Sequence, residues 1–268
     1  MTVLRNIILK TLRDRRRSLL FWGLGLVALA VIMVSFFPVI RDAPFISDYL
    51  ESFPEEFLAL FAGEVIDYTS GEGFLNGELF FLMYPLLMLI FAIGFGSGAI
   101  AGEEEKGTLD LLLSNPLNRW HLVLDKFIAM VICTLLLTVV FWAALAAGGA
   151  AVDMGLNLAR LAAVCFSGFL LAITFGSIAL AMGCARGKHG LSIGVGGALG
   201  VYAYMLNALA PLIEWLEPFQ IASPFYYYIE ANPLSNGLDA VHAAVLIGLT
   251  VIFLGIAIIT FERRDLAV

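Results

Sequence analysis

Long apolar runs separated by short polar segments make up most of this chain. A membrane-spanning helix needs about 20 mostly apolar residues to cross roughly 30 Å of hydrocarbon. Six runs meet that length, at residues 19–39, 79–101, 127–152, 161–184, 191–213 and 240–261. Barrel strands would alternate in polarity over shorter segments. The pattern therefore predicts an all-α integral membrane protein, with six transmembrane helices in a single domain over residues 1–268.

Composition and charge agree with this class and predict an orientation. Hydrophobic residues make up 61% of the 268 positions, which is more than a soluble domain of this size can bury. The segments 1–18, 102–126, 185–190 and 262–268 hold 13 of the 15 Lys and Arg residues, whereas 14 of the 22 Asp and Glu residues lie in the alternate segments. By the positive-inside rule, we expect a multi-pass protein of the cell membrane with both termini in the cytoplasm.

The basic N-terminus has a pattern of its own. Residues 1–17 repeat apolar positions at helical spacing, with basic residues between them. This predicts an N-terminal amphipathic interfacial helix under the inner leaflet, with Arg15, Arg16 and Arg17 at the lipid phosphates.

Two outer segments are also expected to be structured. In the acidic loop 40–78, Ser52 is expected to cap a short amphipathic helix and Asn76 to cap the second span. The segment 211–237 contains four prolines and many aromatic residues, which predicts two short elements packed on the outer ends of neighbouring helices.

Glycines four residues apart mark candidate helix-packing faces, because small residues at this spacing let backbones approach closely in lipid. The pairs are Gly94 with Gly98, Gly190 with Gly194, and Gly196 with Gly200. The sequence leaves open whether these faces pack within one chain or between two.

The segment between spans two and three carries the pattern most specific to function. It begins with Glu103, Glu104 and Glu105, at a helix C-terminus where the helix dipole disfavours negative charge. An electrostatic partner, either the N-terminal arginines or another subunit, would explain them. Gly107 is expected to form a bend with positive φ, and Thr108 to cap the short helix that follows.

That short helix is expected to be amphipathic. Leu109, Leu112 and Leu113 share one face, Asp110 lies in the first turn, and Pro116 ends the helix. The leucine face is more apolar than a solvated helix needs, which indicates an apolar groove as its partner.

These residues resemble the signature of ABC-2 type permeases. The signature has an acidic residue, then Gly-Thr-Leu-acid-Leu-Leu-Leu-Ser/Thr-x-Pro-hydrophobic-x-Arg, and a Lys soon after. The matching positions are Glu103, Gly107, Thr108, Leu109, Asp110, Leu111, Leu112, Leu113, Ser114, Pro116, Leu117, Arg119 and Lys126. Asp110 and Ser114 stand where the family more often has Glu and Thr, and both exchanges keep the chemistry. The basic N-terminus, the six spans and the ending 261–266 extend the resemblance over essentially the whole chain.

The resemblance implies a type V exporter-like transmembrane domain, the permease subunit of an ATP-binding cassette exporter. Such permeases pair as dimers, here expected as a homodimer, and bind two ATPase subunits through a cytoplasmic coupling helix. The implied coupling residues are Glu103, Glu104, Glu105, Gly107, Thr108, Leu109, Asp110, Leu112, Leu113, Pro116 and Arg119. The chain is expected to be no enzyme and to hold no catalytic, metal or cofactor site. ATP and Mg would be bound by the partner ATPase, and the other partner is membrane lipid rather than nucleic acid.

Two rival classes explain less of the sequence. An ion-coupled secondary transporter usually has ionisable side chains near the bilayer centre. The spans contain no Asp, Glu, Lys or Arg, and His242 lies near the outer end of span six, at its start in the sequence. An intramembrane protease would need Ser97 as nucleophile and His242 as base. The residues 183–189 fall short of a phosphate-binding P-loop, because three residues rather than four separate the glycines.

Overall fold

The computed structural model describes residues 7–42, 69–109 and 118–264, and every regular element in these ranges is helical. The predicted helix after Ser52 lies outside the described residues, as do Asp110, Leu112, Leu113 and Pro116. The elements in chain order are α1 Ile7–Arg41, α2 Gly71–Leu75, a π-helix Asn76–Phe80, α3 Met83–Ala99, α4 Ala101–Glu105, α5 Arg119–Ala151, α6 Leu158–Arg186, α7 His189–Leu209, the 3-10 turns Ala210–Leu212 and Glu217–Ala222, α8 Pro224–Ile229, α9 Pro233–Asn236 and α10 Ala240–Arg263.

Six helical stretches are long and apolar enough to cross a membrane, which confirms the predicted number of spans. They are α1, Gly71–Ala99, α5, α6, His189–Leu212 and α10. We call the end of the bundle that holds α4, the start of α5 and the end of α10 the basic end. The opposite end, which holds α2, α8 and α9, is the acidic end.

The N-terminal amphipathic segment is continuous with the first span over the described residues. Helix α1 runs unbroken for 35 residues, about 52 Å at 1.5 Å per residue, against roughly 30 Å of hydrocarbon. The expectation of a separate interfacial helix is therefore corrected, and its amphipathic turns form the first part of α1. No Gly or Pro interrupts residues 7–18, and Leu, Lys and Arg are good helix formers.

The second span begins earlier than predicted, so the expectation that Asn76 caps it was wrong. Ser70 is the N-cap, and its hydroxyl accepts a hydrogen bond from the backbone N–H of Gly73. A Cβ on Gly71 would overlap Met154, so glycine permits this close approach. Asn76 instead begins the π-helix.

Helix α6 is the centre of the bundle. Of its most apolar stretch, 83% is buried within the chain, compared with 22% for α1 and 17% for α10. Helices α3 and α10 pack along it, and α5 and α7 complete its surroundings. Gly96 of α3 lies against Gly176 of α6, where an added Cβ would overlap the Gly176 carbonyl oxygen. Glycine therefore sets the distance between the two most extensively packed helices.

The six predicted packing glycines differ in their surroundings. A Cβ at Gly196 would lie 3.1 Å from Ile93 Cγ2, and one at Gly200 would lie 3.3 Å from Leu89 Cδ2. These two glycines therefore face α3 within the chain. Gly94, Gly190 and Gly194 have no heavy atom within 4 Å of that position, so their faces are open in the single chain. Gly98 borders two polar side chains, described below.

The proline-rich segment at the acidic end forms four short elements rather than two. Each begins at or next to one of its prolines, at positions 211, 218, 224 and 233, because proline fits the first helical turn and cannot continue a preceding helix. The α8 and α9 elements pack on α6. The buried Tyr228 hydroxyl donates to the Phe80 carbonyl at 2.7 Å, and Ser167 Oγ donates to the Tyr228 carbonyl at 2.9 Å. These bonds fasten the segment to α6 and to the second span.

Candidate functional site

Three consecutive glutamates at the end of α4 each bind a different part of the basic end. Glu103 reaches α5, Glu104 reaches the residue after α10, and Glu105 reaches the start of α7. Helix α4 follows α3 with only Ile100 between them. The glutamates therefore connect the ends of α3, α5, α7 and α10 at the basic end of the bundle. We call Glu103, Glu104 and Glu105 with these partners the glutamate hub.

Glu103 forms the most buried of these contacts. Its Oε1 lies 3.0 Å from Nζ of Lys126, whose side chain is 7% exposed. The Thr108 hydroxyl donates to the Glu103 carboxylate and lies 3.1 Å from its backbone carbonyl oxygen. Burial alone would raise the pKa of Glu103, but the Thr108 hydroxyl and the Lys126 ammonium outweigh it and hold the pKa below its ordinary value. Glu103 is therefore a carboxylate at neutral pH.

Glu104 pairs with Arg264, the residue that follows α10. Arg264 Nη1 also donates to the Cys184 carbonyl in the last turn of α6 at 3.1 Å. Gly187, with φ of +65°, ends α6 beside this pair, and a Cβ there would overlap both charged groups. Glycine is thus required both by the left-handed turn and by the ion pair.

Glu105 and Arg119 use helix ends as partners. Glu105 Oε1 accepts the backbone N–H of His189 at 2.8 Å, where the N-terminus of α7 favours an anion. Arg119 Nη1 donates to the carbonyl of Arg264 at 2.8 Å, and a cation is favoured at the C-terminus of α10 in the same way. Together these contacts tie α5, α7 and α10 to α4.

The bend after α4 is formed by Gly107 and Leu109. Gly107 has φ of +65°, which confirms the predicted positive φ, and no heavy atom lies within 4 Å of where a Cβ would be. Leu109 is 3% exposed and packs in a cluster with Ile7, Ile100 and Leu122. The segment that begins at residue 110 is therefore anchored to the bundle immediately before it.

Comparison with known proteins places the chain in a family. Residues 5–266 match the family described as "ABC-2 family transporter protein". The chain belongs to the ABC-2 transporter family. A protein of Bacillus subtilis (strain 168) described as "Uncharacterized protein YhcI" is 23% identical over 207 residues, 69% of this chain and 66% of that relative. The chain therefore spans slightly less than two thirds of the length of this curated relative, and the family match supports a permease subunit of an ABC transporter.

The described signature residues of this ABC-2 permease lie in or beside the glutamate hub. Glu103 contacts both Thr108 and Lys126, and Arg119 donates to the Arg264 carbonyl at the end of α10. In the described part of the chain the glutamates pair with Lys126, with Arg264 and with the α7 N-terminus, not with the N-terminal arginines that were one expected partner. Thr108 turns its hydroxyl to Glu103. The N–H groups that it would cap in the next helix belong to residues outside the described part.

Leu109 differs from the expectation that it faces a partner groove. It is 3% exposed and belongs to a buried cluster with Ile7, Ile100 and Leu122, so its side chain is buried within its own chain. Of the three leucines assigned to one face, Leu112 and Leu113 remain as candidates for that contact.

The protease pair is not assembled. Ser97 Oγ donates to the Gly94 carbonyl at 3.2 Å, and the Ser97 backbone lies beside Gly183, near the basic end of α6. His242 instead packs beside Tyr226 and Tyr227 at the acidic end, with ring centroids 5.5 and 5.3 Å away. The two side chains therefore lie at opposite ends of the bundle.

Sequence reasoning missed two partners in the hub, His189 and Arg264, and the adjacent Gly187. Arg264 lies 160 positions from Glu104 and contacts it only through the fold. A signal did exist for Gly187, because glycine directly after a basic helix end is typical of a left-handed C-terminal cap.

Proposed function

We propose that this chain is the permease subunit of an ATP-driven exporter and works as a homodimer bound to two copies of a separate ATPase. Family membership supports the permease role, and the glutamate hub supports the coupling role. The observation that carries the proposal is that the family signature begins in the one turn, Glu103 to Glu105, that contacts α5, α7 and α10 at once.

In this proposal the segment after Leu109 is the coupling helix. Leu112 and Leu113 enter an apolar groove of the ATPase, while Leu109 anchors the segment to the permease. Movement of the ATPase is passed through α4 to Lys126 of α5 and Arg264 after α10. Charge-assisted hydrogen bonds hold geometry better than neutral ones, so these contacts suit the transfer of a displacement between helices.

ATP and Mg act in the partner ATPase and have no site in this chain under the proposal. The basic end, which then faces the cytoplasm, carries the coupling segment and both chain termini. The acidic end, with α8 and α9, faces the outside in this proposal. The positive-inside rule supports this orientation.

Native mass spectrometry of the tagged chain purified from its own host tests the composition. The expected result is a complex of two permease and two ATPase chains, which separates into equal numbers of each when it dissociates. Proteoliposomes that contain only this chain and still move cargo without ATP would contradict the proposal. A Leu238→Asp variant changes an exposed leucine at the acidic end, far from the proposed ATPase contact. This variant should keep the complex.

A further inference from the structure

Arg15 on α1 points into the bundle, unlike the exposed Arg13, Arg16 and Arg17 around it. Its guanidinium carbon lies 4.9 Å from the centroid of the Phe95 ring. A Cβ added to Gly98 of α3 would lie 2.9 Å from Arg15 Nη2. Gly98 precedes Glu103 by five residues. Five helical residues span roughly 7.5 Å. The cation therefore lies deeper in the bundle than the glutamate hub.

No carboxylate neutralises Arg15 in the described part of the chain, where it makes no ion pair or hydrogen bond. The nearby acids are already bound, Glu103 by Lys126, Glu104 by Arg264 and Glu105 by the α7 N-terminus. Lys10 adds positive charge to the surroundings of Arg15. Both cations lie close enough to Lys126 to interact with it electrostatically. A partly buried cation without a counter-charge is costly, and an anion bound beside Arg15 would supply that charge.

Two further polar groups beside Arg15 lack partners. Thr11, one turn earlier on the inner side of α1, is 6% exposed, and its buried hydroxyl has no hydrogen bond. The buried Nδ1 of His189 also has none. The His189 ring flanks the same spot as Arg15, with Cε1 3.6 Å from the Cβ position of Gly98 and Nδ1 3.8 Å from that of Gly102.

We propose that Arg15, Thr11 and His189 form a binding site for the phosphate group of an anionic amphiphile. The guanidinium supplies a fork of donors matched to phosphate oxygens, and the hydroxyl and imidazole supply further hydrogen bonds. Gly98 and Gly102 have no side chains, so Arg15 and His189 can both lie close to this turn of the second span. The acyl chains would lie along the exposed apolar face of α3, where Leu86 and Ile90 are 45% and 51% exposed. The site does not depend on coupling to an ATPase.

The test uses the full chain in phosphatidylcholine nanodiscs with either spin-labelled phosphatidylglycerol or spin-labelled phosphatidylcholine. The motionally restricted fraction of each lipid gives their relative affinities. The wild type should restrict phosphatidylglycerol in preference. Arg15→Gln should lower that preference about tenfold, because a charge-assisted contact to phosphate is lost. Arg15→Lys keeps the charge without the fork and should fall between the two.

Arg16→Gln is the matched control, since it removes the same charge from the neighbouring exposed position and should keep the preference. Equal losses in Arg15→Gln and Arg16→Gln would overturn the proposal, because the lipid would then follow net charge alone. So would a wild type without preference. Excess inorganic phosphate distinguishes the source: displacement of the restricted lipid identifies a site that also takes free phosphate, and resistance identifies one that needs the lipid chains.

Discussion

Lys126 and Glu103 show how single charges are held at the basic end. The Lys126 side chain is 7% exposed and that of Glu103 is 24% exposed, with 3.0 Å between their charged atoms. A buried charge that loses its partner is strongly unfavourable, whereas replacing both partners by uncharged groups is much less so. Removing either residue alone should therefore cost more than removing the pair.

Glu103→Gln should lower the unfolding free energy by roughly 2–3 kcal/mol, somewhat less than for a fully buried pair. The double variant Glu103→Gln with Lys126→Met should recover part of this loss, because no unpaired charge remains. Thermal unfolding of the detergent-solubilised chain measures both. Asp14→Asn, which removes the same charge from an exposed position, is the control, and equal melting temperatures for Glu103→Gln and Asp14→Asn would refute this role for Glu103.

The pH dependence of this contact follows from the lowered pKa of Glu103. A carboxyl group with a lower pKa in the folded state stabilises the fold fully above its unfolded pKa, about 4.3, and loses that contribution as pH falls through the folded value. The stability difference between wild type and Glu103→Gln should therefore be constant from neutral pH to about 5 and shrink below that. A difference that already shrinks between pH 7 and 5 would argue against the lowered pKa.

Gly107 isolates the effect of a single backbone angle, because no atom lies within 4 Å of its Cβ position. A left-handed conformation costs an ordinary residue about 1–2 kcal/mol, and β-branched residues more, whereas Asn tolerates it better. Gly107→Val should therefore lower the melting temperature more than Gly107→Asn. Equal effects of both substitutions would show that the positive φ of Gly107 does not determine the cost.

At the scale of elements, the crossing of α3 and α6 depends on Gly96 and not on Gly94. An added side chain at Gly96 would meet the backbone of Gly176, which cannot move aside, while Gly94 faces open space. Gly96→Leu should abolish a monodisperse peak in fluorescence-detected size exclusion, and Gly94→Leu should retain the folded chain. A folded Gly96→Leu variant would show that the two helices are not held at this distance.

The elements also show what could be predicted from sequence. The six spans follow from apolar runs, since lipid requires such lengths whatever the tertiary structure. The bend at Gly107 followed from local chemistry. The continuity of α1 did not, because Arg15 to Arg17 resemble a helix end at the lipid phosphates when their neighbours are unknown.

Contacts far apart along the chain could not be predicted. The pairing of Glu104 with Arg264 and of Glu105 with the α7 N-terminus exists only after the helices have packed. The early start of the second span likewise depends on Met154 lying against Gly71. Local pattern therefore predicts which segments cross the membrane, and packing decides which charges meet.

At the scale of the whole molecule, the orientation can be tested by cysteine labelling in intact cells. The native Cys133, Cys165 and Cys184 are all buried, which keeps the background low. An impermeant maleimide should label Glu217→Cys at the acidic end and should leave Lys106→Cys unlabelled until the membrane is opened. Labelling of Lys106→Cys in intact cells would reverse the proposed topology.

The central claim is that the segment after Leu109 couples this permease to a separate ATPase. The most direct measurement is the ATPase activity of the reconstituted complex with Leu112→Asp, compared with wild type and with Leu238→Asp at similar expression. An unpaired charge in an apolar groove is strongly unfavourable, so Leu112→Asp should lose stimulated hydrolysis or the bound ATPase, and Leu238→Asp should keep both. Full stimulation by Leu112→Asp would contradict the account.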